Sequence, residues 1–209
     1  MTRLRKIVDK TSADILSRYE PSDICVGLAL EDLAPSEAIQ RLHSDQQYSD
    51  LVQFLCFALP IRDSIWYGVQ CLDFRQGRWT PAEEQALEAA RVWAWDPGEI
   101  HRIRAQKTAT RVGLRSGPGW LAQAVFWNGS GSISEPGEEA LAPPAYLYGH
   151  AVAAAINSAA VMPPWPPGTP GKDAYYGHAG DVGIALAHGQ DASAVGYHNE
   201  KINDGVEDK

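Results

Sequence analysis

Five side chains in the C-terminal region belong to types that ligate metals: Asp173, His178, Asp181, His188 and His198. Imidazole and carboxylate groups are suitable ligands for zinc or iron. His178 and Asp181 are the pair separated by one helical turn, and the sequence contains no HExxH or HxxEH pattern. Ordinary surface histidines in a glycine-rich region account for the same residues. We therefore predict no metal and no cofactor, and keep a helical hydrolase or metalloenzyme using His178, Asp181 and His188 as an alternative.

Signals for other enzyme chemistry are weak. Residues 113–119 contain closely spaced glycines, as phosphate-binding loops do, but they lack the lysine of such a loop and a preceding strand. Ser130 and Ser132 do not lie in a GxSxG pattern. The adjacent carboxylates Glu83 and Glu84 fall in a helix cap, where no second titratable group is expected to be buried beside them. The sequence therefore predicts that this protein is not an enzyme.

Residues 101–115 depart from the acidic average of the chain, which has 18 basic and 26 acidic residues and a net charge of −8. This balance argues against a general nucleic-acid-binding protein, because binding phosphates requires a basic surface. The segment would attract an acidic surface of a partner protein, unless it is a solvated helix face neutralised by the Glu-rich helix before it. The partner-binding residues predicted here are Arg102, Arg104, Lys107, Arg111 and Arg115.

The chain has seven tryptophans, which fall into two groups. The first group lies on apolar helical faces and is expected in the core: Trp66, Trp93, Trp120 and Trp127. The second group lies at helix ends or among prolines: Trp79, Trp95 and Trp165. An exposed indole at such a position can anchor a partner protein. We select Trp165 as the sixth predicted partner-binding residue.

Helix signals are clearest in the middle of the chain. Residues 80–83 (TPAE) place a hydroxyl at the N-cap, proline at the first helical position and a carboxylate three residues after the cap. The pattern predicts a helix that ends at about residue 95. Residues 96–99 (DPGE) repeat the same chemistry, which predicts a second helix and a sharp corner between the two.

Apolar periodicity extends the helical prediction to most of the chain. It indicates a helix pair over residues 48–74, a short helix that ends near residue 127, and a last helix over residues 175–187. Residues 145–162 approach the length of a membrane span, but their histidine, asparagine and many alanines favour a buried central helix. Residues 24–30 are the one run with β character, and they could equally form a buried loop or a helix. We predict an all-α fold, an irregular multi-helix bundle.

Composition divides the chain into three parts. We expect a helical domain over residues 13–162, a proline-rich linker over residues 163–171 and a partly disordered C-terminal segment over residues 172–209, with a flexible tail. Three separate cysteines without a CxxC pair indicate buried, reduced thiols. No apolar segment of a signal peptide follows the basic N-terminus. These features predict a cytoplasmic protein that does not enter a membrane.

Three segments are distinctive enough to compare with known sequence families. Residues 58–67 read ALPIRDSIWY, residues 86–97 read ALEAARVWAWDP and residues 119–127 read GWLAQAVFW. With the prolines before residue 145 and the alanine-rich helix after them, they resemble an uncharacterised family of bacterial helical proteins, a domain of unknown function often encoded near type VI secretion genes. The resemblance covers residues 50–162. Its motifs consist of caps, turns and core aromatics, so it implies no catalytic residue.

These observations favour a binding protein over an enzyme. The leading hypothesis is a non-enzymatic accessory of bacterial type VI secretion, an adaptor or chaperone that binds an effector or spike component. An immunity protein is the alternative of the same class, because an acidic surface would suit a basic toxin. The sequence leaves the oligomeric state open.

Overall fold

A computed structural model of the chain describes residues 4–75, 77–134, 137–169 and 171–190. Within those residues it consists of ten α-helices and one 3-10 turn, and it contains no strand. The all-α prediction is confirmed. The C-terminal tail and His198 lie outside the described residues, so the flexible tail stays a prediction.

The helices have the following bounds in chain order: α1 Ser12–Leu16, α2 Asp23–Gly27, α3 Pro35–Ser44, α4 Tyr48–Ala58, α5 Ile61–Asp73, α6 Pro81–Trp95, α7 Glu99–Val112, α8 Gly117–Phe126, α9 Leu147–Val161 and α10 Gly171–Ala187. The 3-10 turn spans Leu30–Asp32, between α2 and α3. Residues 24–30, the run with β character, thus form most of a short helix and the start of this turn. The side chains of Cys25 and Leu30 are buried in the core.

Helix α9 is the central element, because it packs against α4, α5, α8 and α10. Its small residues allow this close packing. A Cβ atom placed on Gly149 would lie 2.8 Å from the ring of Phe57 in α4, so the two helices could not approach as they do with a larger residue. The buried helix predicted here is confirmed. None of the described helices has both the length and the apolar character that crossing a membrane requires.

The cap of α6 forms as predicted, whereas the cap of α7 does not. The Thr80 backbone amide donates to the Glu83 carboxylate at 2.8 Å, and the Glu83 amide donates to Thr80 Oγ1 at 3.4 Å. Helix α7 begins with Gly98 as its N-cap and has no side-chain cap, so the prediction of a second capping box at Asp96 is wrong. The connection is short as predicted, since three residues separate α6 from α7, and the two helices pack against each other. We call this connection the corner.

Helix α10 belongs to the same packed core as the helices before it. It packs against α4, α5 and α9. The Tyr67 hydroxyl in α5 donates to the Ala179 carbonyl at 3.0 Å, inside the core. A Cβ atom on Gly183 would lie 2.5 Å from a methyl group of Leu55, which explains a glycine within this helix. The boundary that we predicted at residue 162 therefore does not mark the end of the packed domain, which continues to Ala187.

The three cysteines are free thiols inside the fold: Cys25, Cys56 and Cys71. Burial raises the pKa of the Cys25 thiol to about 11. A thiolate is the reactive form of cysteine, and these environments disfavour it. The prediction that the three thiols are buried is confirmed.

Candidate functional site

Helix α7 lies at one edge of the bundle, where it packs against α6 and α8. Its buried side consists mainly of small side chains, among them Ala105 and Ala109. Four cations point away from this side: Arg104, Lys107, Arg111 and, after the turn that ends the helix, Arg115. All four are exposed. The first three are spaced by three and four residues and therefore share one helix face. We call these four residues the basic face.

No carboxylate among the described residues forms an ion pair with the basic face. Arg104, Lys107 and Arg115 make no hydrogen bond or ion pair with any described residue, and the Arg111 guanidinium donates to the neutral Gln85 side chain at 2.6 Å. In the preceding helix, Glu88 pairs with Arg91 instead. Neutralisation of the segment by the Glu-rich helix, the alternative left open above, is not seen among the described residues.

Arg102 does not belong to this face, and its prediction as a surface residue is wrong. Its side chain is 2% exposed. It forms two hydrogen bonds to the Glu99 carboxylate, at 2.6 and 2.7 Å, and one to the Phe126 carbonyl at 3.0 Å. The hydrogen bonds from Arg102 lower the pKa of Glu99. Arg102 thus attaches α7 to the end of α8, because its position in the helical period directs it inward.

Two large apolar side chains extend the basic face toward the corner between α6 and α7. Ile100 is 77% exposed and lies four residues before Arg104, on the same side of α7. Trp95, the last residue of α6, is 79% exposed. Its backbone is held in place, since the Arg62 guanidinium donates to the carbonyls of Ala94 and Trp95 at 2.5 and 3.1 Å. The corner therefore presents an indole and an isoleucine from a fixed backbone.

Trp165 occupies a different environment from the one predicted. It is half-buried against the core, and its indole N–H donates to the Ala160 carbonyl at 2.7 Å. The guanidinium of Arg75 lies over its ring, 3.9 Å from the ring centroid. Arg75 also donates to the carbonyls of Ala159 and Pro163. These contacts attach the proline-rich segment to the end of α9, so Trp165 already has a partner within its own chain.

The other tryptophans follow their helical positions more closely. Trp93 is buried, and Trp66, Trp120 and Trp127 are partly buried against the core. Trp79 is 7% exposed and donates to the Leu72 carbonyl at 3.3 Å, so the prediction that it lies at the surface is wrong. The exposed indole that the second group contains is that of Trp95.

A cleft of about 680 Å³ runs along one side of the basic face, between α7 and the described residues of the loop that follows α8, which are 132–134 and 137–140. Lys107 and Arg102 line it from the helix, and Ser132, Ser134 and Glu138 line it from the loop. No ion pair within 4.0 Å joins Lys107 to Glu138 or to another described carboxylate. The cleft gives a partner segment room beside Lys107.

The potential metal ligands point to different neighbours. The His178 ring stacks on Phe74, with 4.4 Å between the ring centroids. Asp181 lies 3.1 Å from His43 of α3, and His188 lines the same shallow pocket as that pair. Among the residues that the structure describes, no three His, Cys, Asp or Glu side chains are grouped as metal ligands would be.

A second concavity, of about 540 Å³, lies between the ends of α4 and α8 and the start of α9. Phe57, Ile61, Trp127 and Tyr146 contribute to its apolar walls. Its one arginine, Arg18, is bound to the Asp9 carboxylate and to the Phe57 carbonyl. Sequence reasoning missed this groove, because its walls come from segments far apart in the chain and no single segment carries a pattern that indicates it.

The fold and its surfaces define an all-helical protein with an exposed basic face and an exposed aromatic corner. The chain belongs to the family of unknown function DUF6931, whose profile matches residues 38–187. No curated protein and no solved structure matches the chain. The matched residues reach from α3 to the end of α10. They include the basic face and the proline-rich segment, and they leave out α1, α2 and the 3-10 turn.

Proposed function

We propose that this chain is a non-enzymatic, protein-binding accessory of bacterial type VI secretion, an adaptor or chaperone that binds an acidic surface of an effector or spike component through the basic face. One observation carries the proposal. Four exposed cations fall within residues 104–115 of a chain of net charge −8, and no described carboxylate pairs with them.

Binding through the basic face would combine electrostatic steering with apolar contact. Unpaired surface cations steer an acidic partner and raise its association rate, whereas cations already paired within the chain would not. A complex held by electrostatic steering alone would dissociate quickly, because exposed ion pairs contribute little to the free energy of binding. The indole of Trp95 and the side chain of Ile100 supply apolar area at one end of the face, and a buried aromatic anchor slows dissociation.

The link to type VI secretion rests on the resemblance of residues 58–67, 86–97 and 119–127 to a family encoded near such genes. We expect a cytoplasmic protein with a protein partner, and neither nucleic acid nor a membrane as its target. An immunity protein remains the alternative, and the two roles differ in the charge of the partner's binding surface. A basic toxin would bind the acidic remainder of the surface and would not need the basic face.

Capture of the partner from the native host tests this function. The tagged full-length protein is incubated with nuclease-treated lysate, and the retained proteins are identified by mass spectrometry and then purified for kinetics. We expect an acidic partner, and we expect Arg104→Glu/Arg111→Glu to slow association roughly tenfold at low salt and to flatten its salt dependence. Trp95→Ala should mainly raise the dissociation rate.

A matched control carries the same change in net charge at a distance from α7. Lys10 and Lys172 are exposed and make no ion pair with described residues, so Lys10→Glu/Lys172→Glu should leave the association rate near that of the wild type. Equal slowing by both double variants would show a general charge effect and not a binding face. A basic partner whose association ignores Arg104→Glu/Arg111→Glu would favour the immunity role.

A further inference from the structure

The N-terminal part of the chain carries a run of exposed residues whose charge is opposite to that of the basic face. Residues 20–37 include five acidic residues and no Lys, Arg or His. All five are exposed: Glu20, Asp23, Glu31, Asp32 and Glu37. We call residues 20–37 the acidic segment. Residues 100–115 show the reverse pattern, since they contain no acidic residue.

Both surfaces combine charge with exposed apolar side chains. In the acidic segment, Ile24 is 56% and Val26 is 63% exposed, on either side of the buried Cys25. Beside the basic face, Ile100 and Trp95 are likewise exposed apolar side chains. Each surface thus offers apolar area that water covers in the single chain and that a complementary surface would remove from water.

The two surfaces do not meet within one molecule. Helix α7 packs against α6 and α8, whereas α1 packs against the 3-10 turn and α4, and α3 packs against α4. In the described residues, no carboxylate of the acidic segment lies within 4.0 Å of a cation of the basic face. The charges of the two surfaces can therefore neutralise each other only between molecules.

We infer that the basic face of one copy of this chain binds the acidic segment of a second copy. The occupant is a second copy because the chain itself carries both oppositely charged surfaces, one with four cations and one with five carboxylates. Every copy in solution therefore supplies one surface of each kind. The contact is head-to-tail, so one copy of a dimer keeps its acidic segment free, the other keeps its basic face free, and the assembly can extend.

This inference rests on the proposed function in one respect, the use of the basic face as a binding surface, and it adds regulation of that surface. An acidic partner and a second copy compete for the same cations. The acidic segment precedes residue 38, where the family match begins.

Sedimentation velocity on the full-length protein tests the inference. At low salt, the wild type should show a sedimentation coefficient that rises with concentration. The rise should vanish in 1 M salt, where the screening length is about 3 Å. Two neutral double variants then remove one surface each: Arg104→Gln/Arg111→Gln for the basic face and Asp23→Asn/Glu31→Gln for the acidic segment. Each variant alone should remain monomeric under conditions where the wild type associates.

Mixing the two variants gives the decisive result. The first retains its acidic segment and the second retains its basic face, so an equal mixture should form one interface and stop at a heterodimer. Lys10→Gln/Lys172→Gln should associate like the wild type. Circular dichroism and melting temperature confirm that each variant is folded. A wild type that stays monomeric at low salt, a single-surface variant that still associates, or a mixture that stays monomeric would overturn the inference.

The experiment separates this inference from the proposed function. Asp23→Asn/Glu31→Gln leaves the basic face intact and should capture the acidic partner at least as well as the wild type does. If self-association is absent but Arg104→Glu/Arg111→Glu still slows capture, the second copy is excluded and the proposed function stands. If self-association is present but capture ignores the basic face, the proposed function fails alone.

Discussion

Two sets of cations in this protein have the same chemistry and opposite surroundings. Arg75 and Arg102 are each 2% exposed, and backbone carbonyls accept hydrogen bonds from both. Arg104 and Lys107, two and five residues after Arg102, are exposed and bind no described residue. Within α7 the helical period separates Arg102 from Arg104. A step of two residues turns the side chain by about 200° around the helix axis, from the core to the solvent.

Both buried arginines donate to a carbonyl in the last turn of a helix, Arg75 to Ala159 of α9 and Arg102 to Phe126 of α8. Arg75 has no carboxylate among its hydrogen-bond partners and donates to the last turn of α9 and to Pro163. The carbonyls at a helix C-terminus carry partial negative charge, which favours a cation there. Burial lowers the pKa of Arg75. Because an arginine has so high a pKa to begin with, the side chain stays charged at neutral pH.

Arg75→Met should have the largest effect on stability. The substitution keeps much of the apolar volume but leaves two carbonyls without a donor and removes the cation over Trp165, so we expect a loss of about 3 kcal/mol in the free energy of unfolding. Urea denaturation monitored by tryptophan fluorescence measures it. Lys10, which is exposed and makes no ion pair with described residues, is the control, and Lys10→Met should change stability by less than about 0.5 kcal/mol. Equal losses would show that Arg75 has no special role.

Arg102→Met and Arg104→Met compare the buried and the exposed side of one helical turn. Loss of Arg102 leaves the Phe126 carbonyl without its donor and releases the end of α8, for which we expect a cost of about 2 kcal/mol. Arg104→Met should leave stability within about 0.5 kcal/mol of the wild type and slow association with the acidic partner. Thermal unfolding and surface plasmon resonance on the same variants separate the two roles. If Arg104→Met destabilises as much as Arg102→Met, the face is not free.

The fold was largely accessible from the sequence because local rules determine most of it. Thr80 and Glu83 cap α6 as their spacing indicates, and the apolar stretch of α9 is buried as its composition indicates. The local rules failed at Asp96. The same residue types were present there, but Glu99 pairs with Arg102 and not with a cap, because a buried guanidinium is a stronger partner.

The candidate site was accessible only in part, because exposure depends on tertiary contacts that no local pattern reports. The sequence located the charge of residues 101–115, but whether Arg102 faces the core depends on where α8 ends. Trp165 looked like an exposed linker residue until Arg75, ninety residues earlier in the chain, was seen to cover its ring. Trp79 and Trp165 are held by contacts within the fold, which leaves Trp95 as the exposed indole of the three. The sequence alone did not distinguish among these three tryptophans.

Trp165→Ala and Trp95→Ala extend the comparison from cations to indoles. Trp165 is half-buried and donates to Ala160, so its replacement by alanine should lower stability by about 2 kcal/mol. Trp95 is 79% exposed, so its loss should change stability little and weaken partner binding. Chemical denaturation and dissociation rates measure the two effects. A stable Trp165→Ala protein with impaired partner binding would restore Trp165 as an external anchor.

The smallest expected effect concerns His178, which is half-buried like Trp165 and stacks on Phe74. Burial lowers the pKa of His178, and the nearby Asp181 opposes that change in part. The unfolded chain therefore binds a proton at this position at a higher pH than the folded chain does. It follows that His178 contributes stability above its ordinary pKa of 6.5 that is lost as the pH falls through its lowered folded pKa.

The measurement is the free energy of unfolding at a series of pH values from 7.5 downward, for the wild type and for His178→Gln. The neutral glutamine cannot take up a proton, so the variant should lose less stability than the wild type over the window just below pH 6.5. His150→Gln, which alters an exposed histidine of α9, is the control. It should lose as much stability as the wild type does over the same pH window. If the two variants and the wild type lose stability in parallel, the ring of His178 is not buried against Phe74 as described.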